Sequence, residues 1–329
     1  MKNKGQHDID IFKALFFDFF HEQVISVKKL SPHASLRQYY FLESAKHKAI
    51  AVYGPDRQEN KAFIQTQKAL KERGVRVPDF FIVDNSYYYY LQEYCGDRDL
   101  FSYLEDETNK TKILKKTLDL LISVQNEGSS NFDFSVCHPF QSFDHHEIAR
   151  EFWAFQNKYL PHKGLHVDND FFTEDKTKIE NIIDEISKDD YVFMHRDFQS
   201  RNILVDQDDE LVLIDFQGGR CGPRFYDLAS FVYSPESPYA YQYKDLLVDY
   251  YREKTQDKKQ RKDFIKYLLV LALIRLIHDM SVYSVLGFEQ GNLFFQQQLP
   301  TAERYFKELL EQLEREYGID LLKLKSVFL

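Results

Sequence analysis

The sequence predicts an α+β chain of two unequal lobes: a small β-rich lobe over residues 1–96 and a larger, mainly helical lobe over residues 97–329. Three observations predict it. Short runs of β character crowd the region from Val24 to Tyr94, amphipathic helical runs dominate after Gly96, and a single β-hairpin interrupts those helices around Val205. A cleft between two such lobes is a usual place for a ligand.

In chain order, residues 8–20 read as an amphipathic helix with Ile9, Phe12, Leu15, Phe16 and Phe19 on one side. The runs VISVKKL, QYYFLES, AIAVYG, FFIVDN and YYYYLQEYC read as strands of a small antiparallel sheet. One helix is embedded among them, NKAFIQTQKALKERG, ended by Gly74 and followed by Pro78. Helical character resumes in LFSYLEDETNKTKILKKTLDLLISVQNE and is expected again at 144–159, 173–187, 226–233, 240–254, 261–286 and 300–317. The hairpin is NILVD and ELVLIDF around the polar QDD.

Composition limits the function. With 329 residues, 43% of them hydrophobic, the chain can build one large domain or two modest ones. A net charge of -9 without a long Lys/Arg block excludes a nucleic-acid binder that works by counterion release, and leaves room for a local cationic site facing phosphate. Cys95, Cys137 and Cys221 lie far apart and form no CxxC pair, which fits a reducing compartment and no disulfide or zinc framework. Lys13 and Asp18 interrupt the aromatic N-terminal run, so no signal peptide is expected. The run YLLVLALI meets Arg275 after about two helical turns, which predicts a segment too short to span a bilayer. A cytoplasmic protein with neither a nucleic-acid nor a membrane partner is expected.

The chemistry concentrates in YVFMHRDFQSRNILVDQDDELVLIDFQGG, which begins at Tyr191. Asn202 lies five residues past Asp197, and Asp215 ends the second hairpin strand, so the hairpin brings Asn202 and Asp215 together. An amide oxygen and a carboxylate suit Mg²⁺, which binds through one or two carboxylates plus substrate phosphates and keeps several waters. Asp197, at the start of the loop, would face an acceptor hydroxyl. His195 is read as a brace for the loop by hydrogen bonding, Arg196 as orienting it, and Arg201 as a phosphate contact beside the metal ligand.

The order H-R-D-x-x-x-x-N followed by D-F-x matches eukaryotic-type kinases. More closely, HRDFQSRNILV followed by LIDFQGGRCGPRFYDLASFVYSP resembles the aminoglycoside-phosphotransferase-like kinases. Within them, DFQ and GP..YDLAS are most similar to the bacterial branch of anomeric sugar kinases that serve cell-wall recycling. That branch phosphorylates the 1-hydroxyl of N-acetylmuramate or N-acetylglucosamine. ENKAFIQTQKALKERGVRVP and YYYYLQEYCGDRDLFSYL extend the resemblance to a first-lobe helix and a hinge.

The resemblance implies a two-lobe protein-kinase-like fold, with ATP as co-substrate and Mg²⁺ in the interlobe cleft, and a small-molecule acceptor, first of all a sugar. Asp197 would orient the acceptor hydroxyl and take its proton, while Asn202 and Asp215 would hold magnesium. Gln92, Glu93, Tyr94 and Cys95 would form the hinge, meeting adenine through backbone groups. Gln217 replaces the glycine of D-F-G, so a movable activation segment is not expected. Asp227 would brace the second lobe, or cap its helix.

The first lobe departs from the kinase pattern. KAIAVYGPD offers Val52 or Tyr53 where a phosphate-pairing lysine would stand, and Lys48 is at the wrong end of the strand. The loop SPHASLRQYY has no glycine; Ala34 and Ser35 would have to permit its tight turn, and Arg37 would supply the missing positive charge. Glu59 is a candidate partner for that arginine. Elsewhere, adjacent His145 and His146 point about 100° apart on a helix and make a poor shared metal site. Trp153, near Glu151 on the same helix, is read as a core residue in preference to a platform for a sugar ring.

Overall fold

The structure, a computed structural model, describes residues 4–30 and 36–328. Helix α1 (Lys4–Phe20) precedes a five-stranded antiparallel sheet of β1 (Ser26–Leu30), β2 (Gln38–Glu43), β3 (Lys48–Tyr53), β4 (Phe80–Val83) and β5 (Tyr89–Glu93), in the order β1-β2-β3-β5-β4. Helix α2 (Arg57–Glu72) interrupts it, capped by the Asp56 carboxylate and closed at Gly74, whose φ of 81° suits a residue without Cβ. The period-two alternation of the strands sorts their side chains. Tyr40, Leu42, Ala49, Ala51 and Leu91 pack against Phe12 and Phe16 of α1, each buried phenylalanine contributing about 1.5–3 kcal/mol. Tyr39, Val52 and Tyr90, opposite one another in the register, belong to the other core, shared with α2 and the second lobe. Phe19, expected on the buried side of α1, is 43% exposed and stacks on Phe81 at the rim.

The chain then passes through β6 (Arg98–Asp99) into α3 (Leu100–Asp106) and α4 (Lys110–Asn126), the stretch read as helical in the sequence. Helix α5 (His145–Ala154) runs through a π-helical stretch (Phe155–Tyr159) into the single turn α6 (Leu160–His162), and α7 (Thr173–Asp184) follows. Strand β7 (Tyr191–Met194) leads into the loop of interest, then the hairpin β8 (Ile203–Val205) and β9 (Leu211–Leu213), and β10 (Arg220–Pro223), which pairs back on β7. Helices α8 (Arg224–Tyr233), α9 (Pro238–Gln242), α10 (Lys244–Thr255), α11 (Arg261–Tyr283), α12 (Leu293–Tyr317) and α13 (Leu322–Ser326) complete the lobe.

Two expectations fail here. Helix α12 starts at Leu293 with Pro300 inside it. The loss of about 3 kcal/mol for an internal proline is outweighed by burial of Phe295, Leu299, Ala302 and Phe306 along one face. Helix α11 is long and apolar enough to cross a membrane, against the expectation from Arg275, but 83% of its apolar window is buried inside the fold. It is the central core helix of the second lobe, packed on α8 and α12.

The lobes meet at defined points. Arg76 makes a bidentate pair with Glu93 (2.7 Å for both bonds) and lies 3.7 Å from Asp206, while its carbonyl accepts from the Leu213 N–H (3.0 Å). Phe63 of α2 stacks on Phe216, with ring centres 4.5 Å apart and planes 18° from parallel. The helix of the first lobe therefore rests on the residue next to Asp215.

Candidate active site

Strand β7 delivers His195, Arg196 and Asp197 to the cleft floor, and a web of backbone bonds fixes their turn. The Asp227 carboxylate, in the first turn of α8, accepts from the N–H groups of His195 (2.7 Å) and Arg196 (2.8 Å). It is therefore a brace for this loop and not a helix cap. Arg196 sits at φ 79°, an uncommon conformation for a non-glycine residue that persists only where its surroundings over-determine it. Its side chain supplies that constraint, donating to Glu147 (2.8 Å) and Glu151 (2.9 Å) of α5. The His195 ring accepts from the Asp197 N–H (3.2 Å) at Nδ1 and donates to the Ile214 carbonyl (2.9 Å) at Nε2, bracing the loop as expected.

Asn202 and Asp215 are brought together by the hairpin: the Ile214 N–H donates to the Asn202 carbonyl (3.0 Å). The Asn202 Nδ2 donates to the Asp197 carbonyl (2.9 Å), so its Oδ1 is the atom left to accept or ligate. Asp215 takes the left-handed conformation (φ 63°), which aspartate tolerates better than most residues, and Gln217 Nε2 donates to one of its carboxylate oxygens (2.7 Å). One amide oxygen and one carboxylate fit the hard-oxygen requirement of Mg²⁺ when phosphates complete the shell.

Asp197 itself keeps a third of its side chain exposed toward the cleft (32%). Arg275, buried in α11, donates to the Asp197 carboxylate and to the Arg196 carbonyl (2.8 Å), and pairs with Asp279 (2.7 Å) one turn along. Burial alone would raise the pKa of Asp197; Arg275, then His278 and Arg196, overcome this and hold it well below the usual carboxylate range. Glu151 behaves alike: burial raises it, but His278 (2.9 Å) and Arg196 bring it down to about 2. Burial instead dominates at Asp227, pushed up to about 6, and at Glu236, pushed up to about 7 by burial and then by Asp279.

On the first-lobe side, Arg37 is buried (1% exposed), donates to Asn60 Oδ1 (3.4 Å), lies 3.3 Å from Glu59 and covers the Phe63 ring at 4.9 Å. Burial disfavours its charge, but Tyr90, Tyr39, Glu59 and Asp215 more than offset this and keep it firmly protonated. Glu59 is thus the partner and not a merely exposed glutamate. Of the two residues offered at the lysine position of the kinase pattern, Val52 is fully buried between Tyr39 and Tyr90, and Tyr53 pairs with Gln38 and Tyr89. Lys48 is exposed and pairs with Glu43 (3.6 Å). Ala34 and Ser35 lie outside the described residues.

Other expectations change. Arg201 lies 3.9 Å from Asp99, 4.0 Å from Glu236 and 4.3 Å over the Phe294 ring, with a fifth of its side chain exposed. In the segment expected to form the hinge, the Glu93 N–H donates to the Asp79 carbonyl (2.7 Å) and its carboxylate clamps Arg76, while Gln92 pairs with Ile50 and Phe80 inside the sheet. Tyr94, and Cys95, which is buried, carry the chain onward between the lobes. Trp153 is 61% exposed, so it is no core residue; its stripe of α5 faces away from the packed side. Sequence reasoning missed Arg275, Glu147, Glu151 and His278 as supports of the loop. The one available signal was an arginine in an apolar helix with an aspartate four residues on, the spacing of a buried pair.

Comparison with known proteins agrees with this geometry. A model of the phosphotransferase enzyme family (APH) matches residues 26–264. The N-acetylmuramate/N-acetylglucosamine kinase of Pseudomonas aeruginosa is 25% identical over 200 residues, an alignment spanning 60% of this chain and 56% of that protein. Among solved structures, a microcompartment-associated aminopropanol kinase superposes with a TM-score of 0.66 at 15% identity, covering 95% of this chain and 99% of the other. A spectinomycin phosphotransferase in complex with ADP and spectinomycin gives 0.57 at 15% identity, covering 97% of each chain.

Proposed function

The chain belongs to the APH phosphotransferase enzyme family and is a small-molecule kinase; from that premise we propose that it moves the γ-phosphate of ATP, with Mg²⁺, to the anomeric hydroxyl of an amino sugar of the N-acetylmuramate/N-acetylglucosamine type. One observation carries the chemistry: a partly open, firmly ionised Asp197 whose own carbonyl holds the Asn202 amide (2.9 Å), with Asp215 on the adjoining strand end. An acceptor O–H donating to the Asp197 carboxylate is oriented for in-line attack. The new O–P bond forms as the bond from the γ-phosphorus to the β,γ-bridging oxygen breaks, ADP leaves, and the acceptor proton passes to Asp197. With so weak a base, orientation outweighs proton abstraction, as a loose phosphoryl-transfer transition state permits. Asn202 and Asp215 would hold magnesium, which when bound neutralises phosphate charge. Arg37, paired with Glu59, supplies the cation on the nucleotide side.

A sugar is favoured over a quaternary amine by the charges around Asp197. Arg196 and Arg275 face it, and the carboxylates Glu147, Glu151 and Asp279 are each already paired with one of these two arginines. The test is Mg-ATP-dependent ADP release with N-acetylmuramate, N-acetylglucosamine, other hexoses, choline and an aminoglycoside, using Asp197→Asn as control. Acceptor-stimulated release with an N-acetylated sugar, lost in the variant, is the expected result. Turnover of choline or the aminoglycoside alone would replace the sugar assignment, and nucleotide binding without turnover on any acceptor would favour a regulator.

A further inference from the structure

The outer stripe of α5 carries groups that the chemistry at Asp197 does not use. Trp153, the one tryptophan of the chain, is 61% exposed, and Phe140 is 40% exposed with the Arg150 guanidinium 3.7 Å from its ring centre. Together with Asp144, His146 and Ala149 they line an open depression of ≈ 450 Å³, within the range of about 300–1,000 Å³ common for small-ligand sites. Helical spacing of about 100° per residue puts His146, Ala149, Arg150 and Trp153 on one stripe, next to the stripe of Glu147 and Glu151.

Two separate connections tie the elements that line this depression to the stretch bearing Asp197 and Asp215. Glu147 and Glu151 grip Arg196, the neighbour of Asp197. The segment bearing Phe140 is tied to the chain just beyond Asp215: the Cys221 N–H donates to the Gln141 carbonyl (2.9 Å), the Phe143 N–H to the Cys221 carbonyl (2.7 Å), and Arg220 lies 5.4 Å from the Phe140 ring centre. Both elements that line the depression are therefore anchored to the stretch from Arg196 to Cys221, which carries Asp197 and Asp215.

The chemistry of the lining selects a ligand. Its one carboxylate, on Asp144, already caps α5 by accepting from the Glu147 N–H (3.0 Å). Besides His146 there remain the exposed indole face, the Phe140 ring and the Arg150 guanidinium, which lies 4.0 Å from the buried Glu147 and keeps 41% of its side chain exposed. Apolar ring faces complement the C–H face of a pyranose, and a guanidinium complements a carboxylate through paired, charge-assisted hydrogen bonds. We propose that this depression is an acceptor subsite for a carboxylate-bearing sugar, with Trp153 stacking the part remote from the phosphorylated hydroxyl and Arg150 pairing with the carboxylate. The assignment rests on the phosphotransferase reading of the cleft and narrows its acceptor to an acidic amino sugar.

The single tryptophan makes the test direct. Intrinsic emission of the full chain with ADP and Mg²⁺ is titrated with N-acetylmuramate and with N-acetylglucosamine, which lacks the carboxylate. A saturable change is expected with the first, at a concentration roughly tenfold or more below that needed for the second, and Arg150→Gln removes the difference. In turnover assays Trp153→Ala and Arg150→Gln raise the acceptor KM roughly tenfold with kcat and the ATP KM unchanged; both positions are exposed, and unchanged circular dichroism checks the fold. Turnover of either sugar with silent Trp153 emission and an unchanged KM overturns the subsite alone. Silence toward both sugars without turnover overturns it too, together with the sugar reading. A saturable emission change without turnover keeps the subsite and overturns only the assignment of that sugar as phosphoryl acceptor.

Discussion

The two walls of the cleft are built on different plans. On the second-lobe side Asp197 is held by many partners at once: Arg275 at its carboxylate, His195 at its N–H, and Asn202 at its carbonyl, with Asp227, Glu147 and Glu151 fixing the strained Arg196 beside it. On the first-lobe side stands Arg37, the proposed nucleotide cation, with its salt bridge to Glu59 and its bond to Asn60, one strand away from the place the kinase pattern gives a lysine. The difference teaches where each wall tolerates change. A group defined by many bonds loses function abruptly, whereas a cation whose task is charge near phosphate can move between strands while the charge stays.

The first prediction breaks the dense wall. Asp197→Asn should lower kcat by roughly 10²–10⁴-fold while nucleotide affinity, read by calorimetry with Mg·ADP, changes little. Asp215→Ala should remove magnesium-dependent nucleotide binding as well as turnover. Equal, small effects from both would sink the division of roles between acceptor and metal.

Arg275 sharpens the comparison. Arg275→Lys keeps a charge but forfeits the fork that reaches Asp197, the Arg196 carbonyl and Asp279, so kcat should fall on the order of 10²-fold at constant ATP KM. A rise in ATP KM without a fall in kcat would show that α11 supports the nucleotide instead. Arg37→Ala tests the first-lobe wall: kcat/KM for ATP should drop by about 10–10²-fold. Val52→Lys in that background returns a cation between Tyr39 and Tyr90 and should recover part of the loss. Unchanged kinetics in Arg37→Ala would remove Arg37 from the site.

Legibility in the sequence follows the same divide. The residues of one contiguous stretch, Asp197, Asn202 and Asp215, could be read because a hairpin converts their order directly into proximity. Arg275 reaches Asp197 across 78 residues, and Glu147 and Glu151 reach Arg196 across 49 and 45; no local pattern encodes such meetings. The surroundings of Arg201 were not legible, because adjacency to Asn202 says nothing about side-chain direction, and at this turn the guanidinium lies near Asp99 and Glu236. Trp153 was misread because tryptophan on an amphipathic helix is usually core, yet its stripe also carries His146 and Arg150. The two lobes were legible because strand and helix periodicities differ, while Pro300 misled because burial of its neighbours outweighs its local cost.

The smallest expected effect concerns stability. Glu236 is 4% exposed, accepts from the Tyr283 hydroxyl (2.9 Å), and titrates at about 7 against an ordinary 4.5, first through burial and then through Asp279. Below pH 4.5 it is protonated whether folded or unfolded, and its contribution is fully present. As pH rises, the unfolded chain releases the proton first while the folded chain keeps it, so stability falls and the contribution is lost as pH passes through about 7. Glutamine keeps the shape and the neutral state, so Glu236→Gln should flatten this part of the profile by at most about 3 kcal/mol, at about 1.4 kcal/mol per pKa unit. Asp227, buried with the same sign of shift, stays in the variant, so the comparison with wild type isolates Glu236. Denaturant melts at pH 5 and pH 8 read the difference: a variant gaining stability over wild type only at the higher pH supports a buried neutral carboxyl. Equal gains at both would place the Glu236 proton outside the folding equilibrium.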